Sequence, residues 1–326
     1  MKSIPLIRVL LTITGMFFLT HCATTPDVPD RTKIRLENHL LHSFDGDQFP
    51  YRSWMPKEEP ELVIIGVHGI SGAAADYKPL GSHLLSDLPR TAIYAAETRG
   101  QGNDPIKERR GHINDKKEWF NDLVSFTHVI RKRHPNAKIV WCGESMGSLI
   151  VLHTYAQARN KQALCDAIIL ASPIVNIRGD FPKWKEILAH TLANFFPKAR
   201  VSLESLSGKE EVRVTKDTIH EEQATKNSYH IERHTLHLLS TLGKMIRSMN
   251  SAAQELDIPV LVLHGGKDVF SDPKDVERFF GKIPEAAPHT RKFYPESFHL
   301  LFHDHQSELV VSDITTWLKE IGDQGK

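Results

Sequence analysis

Short apolar runs bounded by turn residues alternate along the chain with longer stretches of helical periodicity. Leu62–Val67 (LVIIGV) is the first buried run and Thr91–Ala96 (TAIYAA) the second. Residues 115–134 place Trp119, Leu123, Phe126, Val129 and Ile130 on one helical stripe. A strand over 138–142 (KIVWC) is then followed by a helix over 147–158. Ala167–Ala171, 259–264 and His289–Tyr294 read as further strands, and 307–321 as a closing helix. Apolar strands separated by helices predict an α/β fold, a mostly parallel sheet covered by helices on both faces. Residues 173–250 break the alternation. They lack a clear buried strand, and a polar segment at 202–218 lies between two helical patterns. This segment is expected to be a helical cap inserted between two parts of one core, 33–172 and 251–326.

The N-terminus follows a different logic. Lys2 and Arg8 precede or open an apolar run over 9–19, too short for a transmembrane helix and suited to a signal peptide over 1–21. Leu19-Thr20-His21-Cys22 resembles a bacterial lipoprotein lipobox, with His21 where Gly, Ala or Ser is usual. The resemblance implies cleavage before Cys22, lipidation of Cys22 and a polar tether over 22–32. The expected location is the bacterial cell envelope, held to a membrane by a lipid anchor. Ala23, where some inner-membrane lipoproteins resemble one another in carrying Asp, points to the outer membrane. A secreted protein and an uncleaved N-terminal anchor are the alternatives.

The composition is that of a folded protein, with 40% hydrophobic residues and 25% charged ones in 326. Lys and Arg total 41 and Asp and Glu 40, so no basic surplus points to a nucleic-acid partner. Three cysteines are too few for a disulfide scaffold. Cys142 and Cys165 lie in apolar runs and read as small buried hydrophobes.

Against this frame, Gly143-Glu144-Ser145-Met146-Gly147 stands between a predicted strand and a predicted helix. A serine on such a turn presents its hydroxyl above the sheet, and Gly143 and Gly147 let the chain bend tightly. A nucleophilic hydroxyl needs a base, and the base an orienting acid. Asp268 follows the strand at 259–264, and His299 follows His289–Tyr294 through a short loop. Both positions are at strand C-termini, where the crevice of an open α/β sheet lies. Asp272, His303 and His305 are their rivals. Two backbone N–H groups must meet the oxyanion: Met146, after the nucleophile, and Ile70, in the loop His68-Gly69-Ile70 after the first buried strand. This chemistry requires no metal or organic cofactor.

Together these residues resemble the α/β-hydrolase superfamily, within it the monoacylglycerol lipase and lysophospholipase group and the related serine aminopeptidase-like hydrolases. The shared blocks are HGISGAAADY, ETRGQGND, GESMG, HGGKD and FHLLFHD, spread over about residues 45–321. In the second block Glu97 and Gln101 replace the usual Asp and His. The resemblance implies a serine hydrolase that cleaves carboxylic esters, with a lipid-derived ester as substrate. It also implies a cap with an apolar surface. Trp184, Ile187, Leu188, Thr191, Leu192, Phe195 and Phe196 form a helical stripe flanked by Lys183, Lys185 and Lys198. That stripe either packs onto the core or faces a bilayer. A serine aminopeptidase or amidase on the same fold, and a non-catalytic lipoprotein binding module, are the alternative functions.

Overall fold

The computed structural model describes residues 33–158, 164–176, 191–202, 214–215 and 229–323. Cys22, the signal-peptide and tether segments, and Lys183, Trp184, Lys185, Ile187 and Leu188 lie outside the described residues.

Nine strands form one sheet. In chain order they are β1 (Arg35–Glu37), β2 (Leu40–His42), β3 (Gln48–Trp54), β4 (Leu62–Val67), β5 (Thr91–Ala96), β6 (Lys138–Glu144), β7 (Ala167–Ala171), β10 (Val260–Gly265) and β11 (His289–Tyr294). Their spatial order is β1-β2-β3-β5-β4-β6-β7-β10-β11. Pairings from β5 through β11 are parallel, and those among β1, β2, β3 and β5 are antiparallel. The inner parallel strands β4, β5, β6, β7 and β10 carry the apolar runs because both of their faces are covered, whereas the edge strand β11 (HTRKFY) is only partly buried. Side chains alternate between two cores: Val63, Ile65, Ile139, Trp141, Ile168 and Leu170 on one face, and Ile64, Val140, Cys142, Ile169 and Leu261 on the other. The two sheet-facing cores also separate the thiols. Cys142 belongs to one and Cys165 to the other, and both are free and buried.

Helices α1 (Lys78–Asp87) and α7 (Ser307–Asp323) cover the second face. Helices α2 (Lys116–Arg133), α3 (Met146–Gln157), α4 (Leu236–Arg247), α5 (Met249–Ala253) and α6 (Pro273–Phe280) cover the first. Every residue of α3 from Met146 to Tyr155 is buried, so this helix is buried all round rather than amphipathic.

The sequence missed β1, β2 and β3, which pair at the sheet edge, and the short helices α1 and α6. Within 173–250 it also missed β8 (Arg200–Ser202) and β9 (Arg233–Thr235), a separate two-stranded antiparallel sheet. Three-residue strands are too short to show an alternation. Helix α4 packs Leu238, Leu242 and Met245 into the first core, so the chain has rejoined the core layer before residue 250. Farther out, the described part of the stripe is exposed: Leu192 by 39%, Phe195 by 75% and Phe196 by 61%. These three side chains do not pack onto the core.

Candidate active site

Ser145 sits between β6 and α3 with φ 55° and ψ −117°, a left-handed conformation that costs a non-glycine residue of order 1–3 kcal/mol. The surroundings enforce it. Ser145 N–H donates to the Ala171 carbonyl at 3.0 Å, and the Ser148 hydroxyl donates to the Gly143 carbonyl at 2.7 Å. The glycines answer a close backbone approach. A Cβ on Gly147 would lie 1.8 Å from the Val67 carbonyl oxygen, and one on Gly143 would lie 2.5 Å from the Gly147 carbonyl. The neighbouring Glu144 is buried, and desolvation, with Asp76 adding to it, pushes its carboxyl well above the usual range.

The fold brings together three residues far apart in the chain. Ser145 Oγ lies 2.7 Å from His299 Nε2, and His299 Nδ1 lies 2.8 Å from Asp268 Oδ2. The three side chains are almost fully buried. Asp268 turns its other oxygen, Oδ1, to the N–H groups of Phe270 (2.7 Å) and Ser271 (3.2 Å). Burial would raise the Asp268 pKa, but the His299 imidazole and the Phe270 N–H are among the groups that outweigh it and hold the carboxyl below its ordinary value. An ionised Asp268 accepts from His299 Nδ1–H, which leaves Nε2 free to accept the Ser145 proton. Phe270 packs edge-on against the imidazole with centroids 4.6 Å apart. The rivals have other partners: Asp272 caps α6 through Lys274 N–H, His303 Nε2 lies 3.1 Å from the Asp76 carbonyl, and His305 is exposed.

The loop after β4 closes over the same point. A Cβ on Gly69 would lie 3.1 Å from Ser145 Cβ and 3.6 Å from its Oγ. His68 is fully buried beneath it. Its Nε2 accepts from Thr98 N–H at 2.9 Å, so the proton is on Nδ1, which donates to the Gly69 carbonyl at 3.0 Å. The N–H groups that follow Ile70 are engaged: Ser71 by Gln101 Oε1 (2.9 Å), Gly72 by the Gly69 carbonyl (3.2 Å) and Ala73 by Asp76 Oδ2 (2.9 Å). Ile70 N–H has no acceptor among the described residues, nor does Met146 N–H at the first turn of α3. Two unengaged donors beside a buried serine are what a developing oxyanion requires.

Sequence reasoning missed two contacts from the inserted segment. The Val214 carbonyl accepts from both His299 N–H (3.1 Å) and Leu300 N–H (3.0 Å), and the Ser71 hydroxyl donates to the Ile231 carbonyl at 3.0 Å. It also missed His264, whose Nδ1 is 3.6 Å from Asp268 Oδ2. No local pattern marks any of them. Glu97, at the start of the departing block, takes the N–H of Asn103 on Oε2 at 3.0 Å.

Burial lowers the pKa of His234 and of His264 to about 4, although Asp268 pulls His264 the other way. Both are neutral in the folded protein at pH 7. Unfolded, they take up a proton near pH 6.5. The unfolded chain therefore binds more protons below that pH, and stability is lost as pH falls from about 6.5 to about 4. Each shift corresponds to on the order of 3 kcal/mol once the pH is below both values. We expect Tm to fall across this window and His264→Asn to flatten the fall. An unchanged slope in this variant would show that His264 is not buried neutral.

The family model described as "Serine aminopeptidase, S33" matches residues 58–306. The chain is 25% identical over 286 residues to a monoacylglycerol lipase of Mycolicibacterium smegmatis, covering 86% of this chain and 96% of that one. It is 25% identical over 310 residues to the monoglyceride lipase of Saccharomyces cerevisiae, covering 89% and 96%. Among solved structures, a soluble variant of the Saccharomyces cerevisiae monoglyceride lipase superposes with a TM-score of 0.71 at 20% identity, covering 85% of this chain and 93% of that one. The monoacylglycerol lipase of Paleococcus ferrophilus gives 0.68 at 19%, covering 84% and 99%. These likenesses show the α/β-hydrolase fold, and with a match across most of its length the chain belongs to the serine aminopeptidase S33 family.

Proposed function

We propose that this protein hydrolyses carboxylic esters through an acyl-enzyme and that its substrates are lipid-derived, of the monoacylglycerol or lysophospholipid class. The observation that carries the reading is the unbroken contact chain Ser145 Oγ–His299–Asp268 beside two unengaged N–H donors. Ser145 Oγ attacks the ester carbonyl while His299 Nε2 takes its proton, and Asp268 stabilises the imidazolium. Ile70 and Met146 N–H hold the oxyanion. The C–O bond to the alcohol then breaks, the alcohol leaving with the proton from His299. Water, deprotonated by the same imidazole, cleaves the acyl-enzyme and restores Ser145.

The names of the relatives support a monoacylglycerol-type substrate, and the exposed Leu192, Phe195 and Phe196 give the inserted segment an apolar surface suited to lipid. Lipid anchoring through Cys22 in the cell envelope completes the proposal and would hold the enzyme at a membrane.

The test is an acyl panel from acetyl to long-chain esters, including monoacylglycerol and lysophospholipid, with peptide amides alongside. It is run on membrane and soluble fractions of cells carrying wild type or Cys22→Ser. The expected result is membrane-associated esterase activity that rises with chain length and becomes soluble in Cys22→Ser. Activity on amides alone would replace the reading with an aminopeptidase, and short esters alone would remove the lipid substrate.

A further inference from the structure

We infer that Gln101 and Ser71 are positioning residues that hold the Ile70 N–H on the oxyanion, and that Ser71 makes this hold depend on the inserted segment. The inference rests on the ester-hydrolase reading above and deepens it.

Ile70 has fixed neighbours on both sides. Before it, Gly69 is pressed against Ser145. After it, Ser71 has φ 57°, a conformation that turns the peptide planes sharply and must be held from outside. Two groups hold it. Gln101 is fully buried and comes from the loop after β5, and its Oε1 takes the Ser71 N–H at 2.9 Å. That bond orients the peptide immediately after Ile70. The Ser71 hydroxyl reaches the opposite way. It donates to the Ile231 carbonyl at 3.0 Å and lies 3.4 Å from Nε2 of the buried His234. Ile231 lies two residues before β9 and His234 is its second residue, both in the insertion, so the oxyanion loop is tied both to the core and to the inserted segment.

The energetics favour a rigid hold. Without Gln101 Oε1, the half-buried Ser71 N–H would have to find another acceptor, and the easiest rearrangement rotates the peptide that follows Ile70. A donor misplaced by a fraction of an ångström stabilises the oxyanion less while still admitting substrate. Loss of one oxyanion donor costs about 10²–10³ in kcat. A displaced donor should cost less, about 10–100-fold, with KM changed little.

The test compares wild type, Gln101→Leu, Gln101→Glu and Ser71→Ala. A buried Glu at 101 keeps an acceptor oxygen for Ser71, whereas Leu has none. Two readouts are taken: kcat and KM on a short-chain ester, and the rate at which a fluorophosphonate labels Ser145. In the labelling step the Ser145 Oγ–P bond forms, the P–F bond breaks and His299 takes the serine proton, with the phosphoryl oxygen facing the Ile70 and Met146 N–H groups. We expect Gln101→Leu to lower kcat and labelling together by about 10–100-fold, Gln101→Glu to restore most of both, and Ser71→Ala to lower both with KM held. Wild-type rates in Gln101→Leu overturn the inference, as does a loss that Gln101→Glu shares together with a lowered Tm. Wild-type rates in Ser71→Ala overturn the tie to the insertion. If the wild type labels at Ser145 but cleaves no ester, the proposed substrate fails and the labelling comparison still decides this inference. If it does not label at all, both fall.

Discussion

Ser145→Ala is expected to lower kcat by about 10⁶-fold and leave Tm near that of the wild type. The loss is large because Ser145, His299 and Asp268 act as a unit, and without the hydroxyl no covalent intermediate can form. The fold should persist because, among the described residues, the serine hydroxyl makes one hydrogen bond, to His299, while the turn is held by other atoms. The Ser145 N–H bond to Ala171, the Ser148 N–H bond to the Ser145 carbonyl and the glycine contacts all survive the substitution. Alanine tolerates φ 55° no worse than serine. Steady-state kinetics and a thermal melt on the same preparation check it. Turnover within tenfold of wild type would remove Ser145 from the reaction.

Asp268→Asn is expected to lower kcat by about 10⁴-fold, the scale seen when a triad acid is made an amide. The geometry states why. Phe270 N–H and Ser271 N–H both donate to Oδ1, so an asparagine there must place its carbonyl oxygen toward them. Its NH₂ then faces His299 Nδ1. That nitrogen must become the acceptor, which moves the imidazole proton to Nε2, against Ser145 Oγ. The base can no longer take the serine proton. KM should change little, since Asp268 is fully buried and reaches substrate only through His299. A loss below about 10² would mean that the tautomer is set elsewhere.

Both effects begin in features that are local in the chain. Ser145 was legible because the apolar strand, the two glycines and the following helix lie within a few residues of it. Asp268 was legible because it follows a strand whose apolar run is plain, and His299 because it follows the last predicted strand through one short loop. The same holds for the inner parallel strands, whose burial on both faces demands continuous apolar runs. Where burial is partial or the element short, the signal disappears. Strands β1 and β2 span three residues each at an edge of the sheet, and α1 buries only Leu80, Gly81 and Leu84. The stripe at 191–196 could not be assigned from its periodicity, because an apolar helical face looks the same whether it meets a core or solvent.

The sequence by itself therefore determined the alternating α/β layout, the tight serine turn and the order Ser145, Asp268, His299, since each depends on nearest neighbours and on backbone sterics. The tertiary structure decided how those residues meet across separations of 154 and 31 positions, and which bystanders hold them. Gln101 reaches Ser71 across 30 residues, and Ser71 reaches Ile231 across 160. A hydrogen bond depends on atoms being placed within about 3 Å by the packing of whole strands and helices. No propensity of the chain at either end records that distance.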